Sequence, residues 1–441
     1  MGGGDERTRF PPGQQPIVQR RPGDPRHSVP ISPAPAPPRR ERQSREDDST
    51  QPPDAIRPRA TPPSGTTPVE GYSGSAPRDR MVEDGRFGEL FVMFIINILL
   101  GVVTLGIYRF WGKTRIRKYI WSRSSFRGER FEYSGTGMEL FLGFLFALIV
   151  FGPPFFGLYA WLYFNPPPKD PTDPLFLERI GILYLIIFAL AIIAFYFVHV
   201  ATFAAYRYRL SRTVWRGIRG SVSGSAWTYG FLGFGLSFLN GLSLGWTKPW
   251  ADTVLLKYRL GRTTIGSEPL TCDLDAGPLY GSFAAAWLIT MFATILAIAG
   301  IVGIFFSFAD LVRRPTEQPP LSMLVALVLL YLLIPVVWLA TINFYRAALI
   351  RETAKKSRLG ALAFRFEVGG WRLLWFNFSN FFLVLISLGL LLPLVILRYA
   401  RLVAEFLRVE GELDYAKVRQ TQDKGPRYGE GIAEFFGIGV I

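Results

Sequence analysis

Side chains able to hold a metal or attack a substrate are scarce in this chain, and their spacing excludes most chemistry. A single cysteine, Cys272, permits neither an intrachain disulfide framework nor a zinc cluster. The two histidines are His27 and His199, without the paired spacing of a metalloprotease helix. No metal and no cofactor are expected. His199 lies inside an apolar run (FYFVHVATF), where a charged imidazolium is costly, so it reads as a neutral, hydrogen-bonded ring. A Ser-His-Asp triad would need an aspartate beside it, and no apolar run supplies one. Gly135 to Gly137 and Gly233 to Gly235 have GxG spacing, but neither opens a helix after a strand in a βαβ unit. No catalytic residue is expected, and the chain does not read as an enzyme.

The polar residues that do stand out occur in step. NILLGVVTLGIYRFWGKTRIRKY (Asn97 to Tyr119), LSFLNGLSLGWTKPWADTVLLKY (Leu236 to Tyr258) and NFFLVLISLGLLLPLVILRYARL (Asn380 to Leu402) align without gaps at offsets of 139 and 283. Thr104, Ser243 and Ser387 coincide, each followed by Leu-Gly. Asn97 and Asn380 stand seven residues earlier, two helical turns away on the same face, while Asn240 sits closer to Ser243. A glycine after a hydroxyl residue, with Pro249 and Pro393 four residues beyond it in two copies, suits a break in a helix. Such breaks could line a solute path, with Asn97, Thr104, Asn240, Ser243, Asn380, Ser387 and His199 as its polar positions, or simply bond neighbouring helices. Beyond the breaks, Trp111, Arg115, Lys118 and Tyr119, with Trp250, Lys257 and Tyr258, mix aromatic and basic groups as headgroup-level anchors do.

The elements that must position these residues are long apolar runs. They extend over Leu90 to Tyr108, Leu140 to Pro168, Ile180 to Tyr206, Ala226 to Thr247, Leu279 to Ala309, Leu321 to Tyr345 and Leu373 to Leu397. Each reaches the roughly 20 residues that cross a bilayer. With 49% apolar residues, 15% aromatics and a positive mean hydropathy, the chain reads as a multi-pass membrane protein rather than a soluble one. Its net charge of +15 is then explained by anionic lipid headgroups, and no nucleic acid partner is expected. Residues 1 to about 80 are polar and rich in Pro, Gly and Arg, with no signal-peptide pattern. They read as a disordered cytosolic tail that grazes lipid or recruits a protein partner.

Short β-like segments recur between the runs: Phe126 to Phe141, Trp215 to Trp227, Ile265 to Gly281, Ala361 to Trp375 and Val409 to Val418. They are expected to be membrane-surface strands. The block TLGIYRFWGKTRIRKY followed by GERFEYSGTGMELF resembles the YjgN-type family of bacterial inner-membrane proteins of unknown function. In that family a TLGIY-x-PW block follows an apolar run, and here Phe110 replaces the proline. The resemblance covers about Gly85 to Val418. It implies an inner-membrane location and brings no established catalytic residues.

Charge fixes the expected orientation. Lys113 to Arg130 holds seven Lys/Arg and one acid, Arg207 to Arg219 five and none, Lys248 to Arg262 four and one, and Arg346 to Arg365 six and one. These connections should be cytosolic, and seven simple crossings cannot put all four on one side. The preferred fold is therefore an all-α polytopic protein. It repeats a broken or re-entrant helix plus a transmembrane pair, with surface β segments; the competing arrangement lets all seven runs cross as inverted repeats. The expected division is a tail (1–84), a first repeat (85–224), a second (225–368), and a partial third with a cytosolic C-terminus (369–441). Two functions fit: a small-solute transporter or channel, or a non-catalytic scaffold organising lipids or envelope partners. Oligomeric state is not legible.

Overall fold

The computed structural model describes residues 79–166, 170, 172–313, 321–412, 418–420, 425–426 and 429–437. The chain divides into residues 1–68 and residues 69–441, and all that follows concerns the second unit. The tail expected to be disordered lies outside the described residues.

Five successive strand–helix–helix–strand units build the fold. The first is β1 (Met81–Glu83), α1 (Phe87–Val103), α2 (Arg109–Arg123) and β2 (Ser124–Phe126). The second is β3 (Glu129–Tyr133), α3 (Gly137–Phe164), α4 (Pro174–Arg212) and β4 (Thr213–Trp215). The third comprises β5 (Ile218–Val222), α5 (Ala226–Leu242), α6 (Lys248–Leu260) and β6 (Thr263–Ile265). The fourth comprises β7 (Glu268–Cys272), α7 (Gly277–Arg313), α8 (Leu321–Lys355) and β8 (Ser357–Leu359). The fifth, β9 (Leu362–Phe366), α9 (Gly370–Ile386), α10 (Leu392–Phe406) and β10 (Leu407–Glu410), precedes a last helix, α11 (Gly429–Phe435). Short helix pairs in units one, three and five thus alternate with long pairs in units two and four.

Within each unit the two strands pair with each other, and two-residue turns join each unit to the next. Arg127-Gly128 and Arg216-Gly217 have both residues at positive φ, the type I′ geometry that matches strand twist, while Gly266 and Gly360 begin the other two turns at positive φ. The ten strands form one antiparallel sheet in sequence order. A bridge between Arg80 and Arg408, and donation by Val409 N to Asp79 O at 2.8 Å, bring β10 back to β1. The result is a near-closed barrel. Its inner face packs Phe126, Leu359, Leu362 and Val409 with Met81, Phe131, Trp215, Ile265 and Phe364.

The expectation of an all-α fold with short surface β segments is therefore corrected. Each strand has three to five residues, too short for its alternation to announce a sheet. The sheet is brought near closure by the single bridge between Arg80 and Arg408, more than 300 residues apart, which no local pattern encodes.

Three helices among the described residues are long and apolar enough to span a bilayer: Gly137–Phe164, Pro174–Arg212 and Gly277–Ala309. At about 1.5 Å per residue, α3 alone extends roughly 40 Å. It starts from a capping box: Thr136 Oγ1 accepts from Glu139 N, and Thr136 N donates to Glu139 Oε2. Glu139 also accepts from Tyr208 OH at 2.8 Å and Arg212 Nη2 at 2.5 Å, which pins the barrel ends of α3 and α4 together.

Helices α1, α5 and α9 instead double back. In each, a leucine in the left-handed region precedes a glycine at still larger positive φ: Leu105 and Gly106 (50°, 86°), Leu244 and Gly245 (50°, 91°), Leu388 and Gly389 (48°, 87°). Gly106 N donates to Gly101 O, Gly245 N to Asn240 O and Gly389 N to Val384 O, the six-to-one bond of a Schellman close. Antiparallel return is confirmed by Asn97 Nδ2 donating to Gly112 O (3.3 Å) and Tyr258 OH to Ser225 O (2.9 Å).

Candidate functional site: an apolar cavity and a buried ion-pair cluster

The hydroxyls at the three breaks serve the turns that contain them. Thr104 Oγ1 donates to Leu100 O (2.7 Å) and accepts from Tyr108 N (2.9 Å). Ser387 Oγ repeats this with Leu383 O and Leu391 N, and Ser243 Oγ bonds Asn240 O, Thr247 N and Thr247 Oγ1. One side chain thus closes one helix and starts the next. The adjoining leucines point outward, Leu105 at 93% exposure and Leu388 at 91%, as groups immersed in hydrocarbon would. Asn97 bonds Gly112 O, Asn240 supports the Thr247 hydroxyl, and Asn380 is buried within its own hairpin. His199 reaches across from α4 to Ser237 of α5 (3.1 Å) with its ring edge-on to Phe195.

The anchor set divides. Arg115, Lys118 and Lys257 are exposed, as is Trp250, whereas Trp111 is half-buried against Phe141. Tyr119 OH accepts from Arg86 N and Tyr258 OH bonds Ser225 O, so each tyrosine ties the return helix to the start of its partner.

None of these positions lines the hollow between α2 and α10. A cavity of about 690 Å³ lies between α2 and α10 at the mouth of the barrel. Ile116 and Ile120 of α2 face Val395, Ile396 and Val403 of α10, with Met81, Phe131 and Thr213 at the barrel rim. The same three rim residues also line a space of about 160 Å³ inside the barrel. Polar groups on the wall are already engaged: Trp121 Nε1 donates to Thr213 Oγ1 (3.1 Å) and Tyr399 OH to Asn377 Oδ1 (2.6 Å). The surface offered to an occupant is apolar.

Arg117 lines this cavity and turns its charge away from it. Its Nη1 donates to Glu430 Oε2 at 2.5 Å and to Tyr133 OH at 3.3 Å, and Nη2 donates to Glu430 Oε1, completing a bidentate pair. Burial alone would lower the Arg117 pKa, but the Glu430 carboxylate overrides it and the net direction is upward. Lys113, one turn earlier, meets Glu434 and is pushed down by burial. Arg209 Nη1 of α4 comes within 4.0 Å of Glu430. Sequence reasoning missed this cluster, although a signal was present: the cations 113 and 117 and the acids 430 and 434 share i,i+4 spacing. Among the described residues no group of three or more His, Cys, Asp or Glu could hold a metal.

Residues 79–435 match the model of a family described as bacterial protein of unknown function, DUF898. The chain belongs to this family. It is also similar to the inner membrane protein YjgN of Salmonella typhimurium, at 35% identity over 71 residues, and of Escherichia coli K12, at 33% over 70. In both cases the aligned part is 16% of this chain and 18% of the relative. No solved structure matches. With its spanning helices, this DUF898 member is an integral, multi-pass protein of the inner membrane.

Proposed function

We propose that this DUF898 chain is a non-catalytic lipid-binding protein that takes an acyl chain into the cavity between α2 and α10. One observation carries the reading: about 690 Å³ of space with an almost wholly apolar wall, beside hairpins whose exposed tips are leucine, valine and isoleucine. Such a wall has nothing to offer an ion or a polar solute, whereas about 0.8 kcal/mol per methylene favours burial of a hydrocarbon chain. A small-solute path has less support, since the Thr104, Ser243 and Ser387 hydroxyls are engaged in their own turns. Anionic headgroups at the basic connections complete the expected partners.

The test is retention of phospholipid. Protein extracted in a mild detergent should carry stoichiometric phospholipid in native mass spectra, and Ala400→Trp, which fills the cavity, should lose it. Equal lipid on both proteins would show that the acyl chain does not occupy this cavity.

A further inference from the structure

The two long helix pairs differ where they should be alike. In unit four α7 and α8 pack along each other, whereas in unit two the backbones of α3 and α4 stand apart and α11 packs against both. The residues responsible can be named. Six positions beyond the first residue of the leading helix stands Phe283 in α7 but Gly143 in α3. Twelve positions before the returning strand stands Tyr345 in α8 but Ala201 in α4. Phe283 and Tyr345 meet edge-on at 5.2 Å and close their pair. Gly143 and Ala201 leave a groove instead. Ala433 of α11 packs on Ala201 and Ala205, and Phe435 lies against Phe144 and Phe151. The fit is backbone-tight: a β-carbon on Gly431 would lie 2.3 Å from Leu140 O, and one on Gly429 2.4 Å from Ala204 O.

At this groove the occupant's carboxylates meet three cations, Lys113, Arg117 and Arg209. Arg117 belongs at once to the groove and to the wall of the apolar cavity. An anionic group in the place of Glu430 would therefore pair with a side chain that also borders the hydrocarbon-lined space. We infer that the α3–α4 groove is a side portal for an anionic phospholipid, with α11 as its displaceable plug and Glu430 standing where the lipid phosphate would sit. The inference rests on the acyl-chain reading above. A phosphodiester supplies the single negative charge that Glu430 gives Arg117, so exchange keeps that guanidinium paired, while Lys113, which loses Glu434 with the plug, disfavours a zwitterionic headgroup that carries its own ammonium. Simple opening would strand it, and an uncompensated buried charge is strongly unfavourable. Plug and lipid should thus trade places.

The experiment uses the full chain with Cys272→Ser in phosphatidylcholine nanodiscs and pyrene-labelled phosphatidylglycerol as the probe. Ala201→Cys with Ala433→Cys forms a lock under oxidation that reductant reverses. Locking should slow loading by roughly tenfold, within the usual range of coupling between sites, and reduction should restore it. Gly431→Leu, which cannot seat α11, should load faster than the reference chain, and pyrene-labelled phosphatidylcholine should load poorly in every variant. Equal loading in the locked and reduced states, or no gain in Gly431→Leu, would overturn the plug while leaving the cavity reading intact. Equal loading of the two lipids would overturn recognition at Lys113, Arg117 and Arg209. No loading in any protein, Gly431→Leu included, would mean that the cavity reading itself is wrong.

Discussion

Arg117 and Glu430, 313 residues apart, form a bidentate ion pair with side chains at 2% and 0% exposure. The pair ties the C-terminal helix to the return helix of the first unit, and Tyr133 of β3 bonds the same guanidinium. One contact therefore links both ends of the chain's fold.

Removing one partner leaves the other charge buried. Arg117→Ala should lower stability by about 3–5 kcal/mol, and Arg117→Met combined with Glu430→Leu should be markedly milder than either single change. Thermal unfolding in detergent would measure both; a double variant no better than the singles would contradict this account.

The hairpin hydroxyls should act as caps. Thr104→Ala and Ser387→Ala should each cost about 1 kcal/mol, while Thr104→Ser keeps the acceptor for Tyr108 N and should be near neutral. Hydrogen exchange at Tyr108 and Leu391 would report the loss locally.

These caps illustrate what local sequence can and cannot convey. The Thr/Ser-Leu-Gly blocks were legible as helix breaks because a hydroxyl, a glycine and nearby prolines act within one turn of chain. The type I′ turns at Arg127-Gly128 and Arg216-Gly217 were legible as glycine-bounded β segments for the same reason. Barrel closure was not, because Arg80 meets Arg408 only after five units have gone round. The Arg117–Glu430 pair was hidden likewise. An arginine in a basic segment ordinarily faces headgroups, and only α11 tells it otherwise.

Labelling should resolve sidedness. Because every helix pair leaves the barrel and returns to it, cysteines replacing Lys118 and Arg216 in a Cys272→Ser chain should both react with an impermeant reagent in inverted vesicles and stay silent in intact cells. A cysteine at Leu105 or Leu388 should react only with a membrane-soluble reagent. Reaction of Lys118→Cys and Arg216→Cys from opposite sides would be incompatible with one barrel.

Acid should help the first strand. Burial, the largest influence, pushes the Glu83 carboxyl above its usual range despite bonds from Ser124 Oγ and Gly85 N. A raised carboxyl pKa means that the folded state holds the proton more tightly. This contribution is fully present below the unfolded value of 4.5 and is lost as pH rises through the folded value. Glu83→Gln should erase that component: the difference in unfolding temperature between variant and parent should favour the variant more at pH 7 than at pH 4. A difference independent of pH would show that Glu83 does not titrate in this window.

Filling the α3–α4 groove should convert unit two toward unit four. Gly143→Phe puts an aromatic ring where Phe283 stands in α7, and Ala201→Tyr supplies its partner in place of Tyr345. Gly431 lies so close to Gly143 that a β-carbon on Gly431 would sit 2.5 Å from the Gly143 Cα, so ring and α11 cannot share the site. The double variant should therefore release α11, which would become sensitive to limited proteolysis while the spanning helices stay protected. Release also strips Arg117 of Glu430, so the freed state should be less stable unless Arg117→Met is added, which removes the stranded charge. The triple variant should then recover stability with α11 still cleavable. If α11 stayed protected in the double variant, the groove would not be what holds it, and the ion pairs alone would have to.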